Sequence, residues 1–207
     1  MAYKNFLLRL LFSIIFVITY LIILYVNFSY VFYLIFLIYI LIALEVLFYF
    51  RIYKVIPLLY IFFSFIFFLL IDFNNNNYLI FNLFIFIVIT FDIFSYIIGK
   101  LFGRNKLIKV SPNKTLEGLL GGFSLSIILS LLFLLSLKIN INYNYIIFIL
   151  LTISFAFIGD ILESFYKRKN NLKNSSEFIP GHGGVFDRFD SFLFSIIFYS
   201  ISINFIL

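Results

Sequence analysis

Two stretches in the last third of the chain set carboxylates, cations and glycines at helical spacing. Asp160, Glu163 or Ser164, and Lys167 fall three to four residues apart, so a helix carries them on one face. Asp187 and Asp190 are three apart and follow Pro180-Gly181-His182-Gly183-Gly184. Carboxylates hold Mg²⁺ through one or two oxygens and leave water and substrate phosphates to complete the octahedron. Lys and Arg neutralise phosphate, Arg often through two parallel hydrogen bonds. Glycines let backbone N–H groups approach an anion, and a helix N-terminus adds a favourable dipole. These parts suit phosphoryl or nucleotidyl transfer. A basic juxtamembrane loop drawn to anionic lipid would account for Lys167–Lys173 alone. It would not account for two Asp-bearing helix ends flanking a glycine hinge that holds the chain's single histidine.

The elements that must position these groups are membrane helices. Of 207 residues, 64% are apolar and 12% charged, with a mean hydropathy of +1.16. A soluble domain carries about 25% charged residues, so this chain cannot cover its own surface in water. Seven apolar stretches are long enough or nearly long enough to cross a bilayer: 6–26, 29–50, 55–71, 78–98, 116–137, 143–160 and 190–207. The first is too long for a signal-peptide core and reads as a retained helix. All Lys and Arg residues except Lys138 fall on one side if the N-terminus is cytoplasmic and the C-terminus external. The expected fold is therefore all-α and polytopic, with about seven transmembrane helices and a cytoplasmic N-terminus. It is a single membrane domain with helices one to three in 1–77 and a catalytic half in 78–207. With no cysteine, disulfides and thiolate metal sites are excluded. The many phenylalanines read as compositional bias rather than a ligand box.

The external connections, including the Asn74–Asn77 run, are short and bland, and Asn27-Phe28-Ser29 fits a glycosylation pattern that is common by chance. Polarity concentrates in two cytoplasmic segments, 99–115 and 161–189. Ionisable groups inside apolar spans usually face a cavity or a partner. Glu45 reads as neutral or paired with Arg51. Asp92, Tyr96, Gly99 and Gly103 share a helical face, and Asp92 reads equally as a site residue or a helix–helix hydrogen-bonding group. The pairs Gly99/Gly103 and Gly118/Gly122 fit close helix packing.

The segment Ser164–Asp190 resembles the signature of phosphatidate cytidylyltransferases. That pattern is Ser, two residues, Lys-Arg, four residues, Lys-Asp, then a spacer to His-Gly-Gly-apolar-x-Asp-Arg-apolar-Asp. This chain supplies Ser164, Lys167-Arg168, Lys173, Ser176, Pro180, His182-Gly183-Gly184-Val185 and Asp187-Arg188-Phe189-Asp190 at matching spacing. Ser111-Pro112-Asn113-Lys114-Thr115-Leu116-Glu117-Gly118 resembles a second family block, and Asp92…Ser95-Tyr96…Gly99 a third. Asn174 stands in place of the usual Asp, Tyr166 in place of an aliphatic residue and Asn113 in place of a Lys. The resemblance covers 92–191, and the short N-terminal half is expected to mark a reduced family member.

The resemblance implies formation of CDP-diacylglycerol and diphosphate from CTP and phosphatidate. It implies Asp160, Asp187, Lys167, Arg188 and His182 as catalytic, with metal held by Asp160, Asp187, Asp190 and Glu163. Substrate would meet Ser111, Lys114, Thr115, Glu117, Arg168, Lys173, Asp92, Gly183 and Gly184. Mg²⁺ is the expected cofactor, joined by a second, monovalent cation. The expected setting is a cell membrane with the site facing the cytoplasm, a homodimer and no nucleic-acid partner. A CTP-dependent lipid kinase of the dolichol-kinase type is the related rival, and a small transporter the rival of another class. The Asp-Gly-x-x-Ala-Arg motif of CDP-alcohol phosphotransferases is absent.

Overall fold

Long apolar runs punctuated by Asn, Lys and Gly become helices because a bilayer satisfies no backbone group that the chain does not satisfy itself. The computed structural model describes residues 2–74, 77–107, 111, 114–178 and 183–206, without the side chains of 2–10, 12, 13 and 204–206. These residues form α1 (Ala2–Val26), a 3₁₀ turn (Phe28–Tyr30), α2 (Val31–Tyr49), α3 (Val55–Leu69), α4 (Tyr78–Phe102), α5 (Leu116–Ser136), α6 (Tyr143–Lys169) and α7 (Phe186–Ile206). Each helix overlies one expected apolar stretch. Four segments are long and apolar enough to cross a membrane by length and composition: Phe28–Tyr49, Tyr78–Phe102, Leu116–Ser136 and Tyr143–Lys169. The protein is an all-α polytopic membrane protein.

The helix ends have local causes. Asn27 accepts a hydrogen bond from Ser29 N at 2.9 Å and so starts the 3₁₀ turn. Thr115 is extended and accepts from Gly118 N at 3.1 Å, capping α5. α5 ends with Lys138 at φ 58° and a bond from Ile139 N to Leu134 O; α6 ends with Asn171 at φ 57° and a bond from Leu172 N to Lys167 O. Both are left-handed C-terminal caps, which tolerate Asn better than most non-glycine residues.

The chain divides into two compact units, one of residues 1–78 and 166–189, the other of 79–165 and 190–207. In the first, Val31, Ile35, Ile38, Ile42 and Val46 bury one face of α2, and Tyr39 Oη lies 2.6 Å from Ser64 Oγ of α3. Phe68 is fully buried with its ring 5.1 Å from Phe32. In the second, Tyr199 of α7 is fully buried among Phe81, Phe84 and Phe148, with ring separations of 5.4, 4.8 and 6.2 Å. These rings pack as core. The glycine pairs act as expected: a Cβ on Gly118 would come within 2.7 Å of Ser95 O and 2.9 Å of Gly99 Cα, so only glycine lets α4 and α5 touch there.

Candidate functional site

Asp160 and Glu163 sit one turn apart on α6, and α7 brings Asp190 to them. One oxygen from each carboxylate lies within 4.8 Å of the others. Gly159 makes this approach possible, because a Cβ there would meet Asp190 O at 2.5 Å and Phe194 Cβ at 2.9 Å. Glu163 is fully buried. Asp190 Oδ1 accepts from Ser191 N at 2.7 Å, and the Ser191 hydroxyl donates to Asp92 Oδ1 at 2.9 Å. Asp92 is thus a helix–helix hydrogen-bonding group, joined through Ser191 to α7.

Among the described residues of the α4–α5 connection, Lys114 is the cation that reaches the cluster. Lys114 pairs with Asp160, its Nζ 5.6 Å from the centre of the Phe157 ring. The loop that delivers it is tied down by its own backbone: Leu107 N bonds Lys114 O at 2.9 Å, Leu116 N bonds Asn105 O at 2.9 Å, and Lys114 N bonds Ser111 O at 3.0 Å. Glu117 accepts from Arg104 N at 3.1 Å and from Asn105 Nδ2 at 2.9 Å. Its carboxylate therefore shapes the loop, and Thr115 caps the helix after it.

Three carboxylate oxygens converging beside one ammonium are hard donors. They fit a small divalent cation that keeps water or phosphate in its remaining positions. Burying three like charges without a cation is costly.

The other expected site residues lie in the first unit. Lys167 Nζ donates to Asp187 Oδ1 at 2.7 Å, with both side chains largely covered. Asp187 Oδ2 also accepts from Ser175 N and Gly184 N, each at 3.0 Å. Gly183 has φ +84°, and a Cβ on it would come within 2.6 Å of Asp187 Oδ2. Asp187 is thus bound into its own loop. Arg168, Lys173 and Arg188 are exposed, and Arg168 Nη1 donates to Leu172 O at 2.9 Å. The Tyr166 ring packs against Tyr60 of α3, centroids 5.8 Å apart and planes tilted by 47°, which gives the departure at that position a packing role. His182, Pro180 and Asn113 lie outside the described residues.

The partners of two buried groups escaped the sequence reading. Glu45 Oε2 accepts from Val185 N at 2.7 Å and Phe186 N at 3.1 Å. Its partners are thus backbone amides, where the sequence suggested Arg51. Asn170 Oδ1 accepts from Ile52 N and Tyr53 N, each at 3.1 Å. The amides of Gly184, Val185 and Phe186 thus donate to the protein's own carboxylates. A lone acid in an apolar span was the only advance signal of Glu45, and nothing local marked Asn170.

The sequence profile of the cytidylyltransferase family matches residues 5–206. The chain is similar to the phosphatidate cytidylyltransferase of Bacillus subtilis (strain 168), 40% identical over 98 residues, 46% of this chain and 36% of that protein. Proteins of the same name in Staphylococcus aureus (strain COL) and Staphylococcus saprophyticus are each 41% identical over 98 residues, 46% of this chain and 38% of theirs. The matched stretch thus spans little more than a third of those relatives' length. Because the family profile matches nearly the whole sequence, the chain belongs to the cytidylyltransferase family.

Proposed function

We propose that the chain transfers a cytidylyl group from CTP to phosphatidate, giving CDP-diacylglycerol and diphosphate. The observation that carries this reading is the convergence of Asp160, Glu163 and Asp190 beside Lys114 on membrane helices. The names of the relatives support the choice of substrates.

A lipid phosphate oxygen attacks the α-phosphorus of CTP, the bond to the β-phosphate oxygen breaks, and diphosphate departs with its electron pair. Phosphate is already ionised at neutral pH, so no strong base is needed and catalysis rests on positioning and charge. Mg²⁺ held by Asp160, Glu163 and Asp190 would neutralise phosphate charge. Asp187 was an expected ligand too, and its bonds to Lys167 and two amides favour a supporting role. Lys114 supplies a cation next to the carboxylates. Lys167, Arg168, Lys173 and Arg188 neutralise phosphates, and His182 donates a hydrogen bond to phosphate or loop. Ser111, Thr115 and Glu117 hold the α4–α5 connection that presents Lys114. A monovalent cation and a homodimer belong to the same reading, as do a cell-membrane location and a site facing the cytoplasm. The one-sided distribution of Lys and Arg supports that orientation.

The test is incubation of the purified chain with labelled CTP, phosphatidate and Mg²⁺, followed by lipid chromatography. Labelled CDP-diacylglycerol with diphosphate is expected. A phosphorylated lipid with CDP would make the chain a lipid kinase, and no reaction would return it to the transporter reading.

A further inference from the structure

A buried acid that meets backbone amides from a distant part of the chain does a job that an apolar residue cannot. Glu45 is 4% exposed near the end of α2, and 140 residues separate it from Val185, whose N–H it accepts at 2.7 Å. The Phe186 N–H reaches the same oxygen at 3.1 Å. Phe186 opens α7, so these are orphan donors of a helix N-terminus, which attract an anion. Here the anion is built in.

The surroundings are fitted to the carboxylate. A Cβ on Gly184 would collide with the Glu45 carboxylate and the Ser175 hydroxyl. Ser175 and Ser176 are both buried. The Phe50 ring, five residues past Glu45, lies 6.1 Å from the Phe186 ring. Asn170 grips the turn after α2 through Ile52 N and Tyr53 N. The α2–α3 corner is therefore fastened to the 170–186 loop at three places. Asp187 takes the Gly184 and Ser175 amides at 3.0 Å and completes the set.

We propose that Glu45 is a positioning residue, whose carboxylate stands in for an anion at the start of α7 and fixes the Gly183–Phe186 backbone that leads into Asp187, the partner of Lys167 on α6. The proposal rests on the cytidylyl-transfer reading for its effect on turnover, but not for the contact itself. Because the N–H groups of 184–186 are already bonded, phosphate is held in this loop by side chains rather than by the helix N-terminus.

Glu45→Gln keeps an acceptor oxygen and nearly the same volume, whereas Glu45→Met keeps bulk and removes the acceptor. The 207-residue chain in lipid nanodiscs is followed by amide hydrogen exchange and by turnover with CTP and phosphatidate. In the wild type, the Val185 and Phe186 amides are expected to exchange at least about tenfold more slowly than in Glu45→Met, the scale of losing bonds to a charged acceptor. Exchange in α4 and α5 stays unchanged. The kcat of Glu45→Met falls about tenfold to a hundredfold, the scale of a misplaced reacting group, with the melting temperature held. Glu45→Gln falls between wild type and Glu45→Met in both readouts, because it keeps an acceptor and loses the charge. A wild-type-like kcat and exchange in Glu45→Met would overturn the proposal, as would a Gln variant as impaired as Met. If Glu45→Met does not fold, the wild type and Gln variant decide: fast exchange at Val185 and Phe186 in the wild type overturns it. A wild type that forms no CDP-lipid sinks the function and leaves the exchange result standing.

Discussion

In the unit of 79–165 and 190–207, Asp160, Glu163 and Asp190 turn oxygens toward one another, with Lys114 at Asp160. In the unit of 1–78 and 166–189, Glu45 and Asp187 turn theirs toward backbone amides and Lys167. The same functional group thus serves two purposes. Carboxylates met by amide donors hold a loop in shape, and carboxylates that converge hold a surplus of negative charge which a cation relieves. Burial alone does not separate the two: Glu45 and Glu163 are both buried, yet one meets the amides of a helix start and the other converges with two further carboxylates.

The largest expected effect tests the converging set. Asp160→Asn or Asp190→Asn removes one charge at nearly constant volume. Turnover should fall at least about a hundredfold, with normal membrane insertion and partial recovery in excess Mg²⁺. Near-normal turnover in both variants would break the distinction between the two regions. Asp187→Asn comes next, because it removes the carboxylate that the largely covered Lys167 meets. A destabilisation of about 3 kcal/mol is expected from a chemical-denaturation series, and excess Mg²⁺ should not restore the lost activity. Recovery by Mg²⁺ would move Asp187 into the converging set, where its sequence motif suggested it belongs.

Gly159→Ala probes the closeness that the acid cluster needs. The added methyl meets Asp190 O and Phe194 Cβ. A cost of about 1–3 kcal/mol is expected for such overpacking, read as a lower melting temperature with weaker Mg²⁺ dependence. The smallest effect belongs to Asp72, exposed beyond α3 with Asn74 as a side-chain partner. Asp72→Asn should change stability by less than about 0.5 kcal/mol and leave turnover unaltered.

The helices were legible because long apolar runs set off by polar breaks match or approach the length that a bilayer demands. The Asp160/Glu163 face and the pairs Gly99/Gly103 and Gly118/Gly122 were legible because helical spacing is a local property, whereas the helix that each pair meets was not. The partners of Glu45 and Asn170 were not. They lie 140 and 118 residues away, and no periodicity carries that information. Asp187 shows a subtler limit. Its motif marked it as important, but motif spacing does not say whether a carboxylate meets a cation or the amides beside it. The grouping of 166–189 with the first 78 residues was equally hidden, because α6 and α7 each run through a boundary that composition leaves unmarked.

The long reach of Glu45 also bears on how the protein is made. Ribosomes add about 5–20 residues per second, so α2 emerges roughly 7–28 s before the amides that will receive its carboxylate. During that interval the nascent chain holds an acid in an apolar helix. The insertion cost is on the order of 3 kcal/mol at a helix centre and smaller toward an end. A chain interrupted before Val185 never relieves it, so a premature stop leaves a marked orphan in the membrane for quality-control proteases to find.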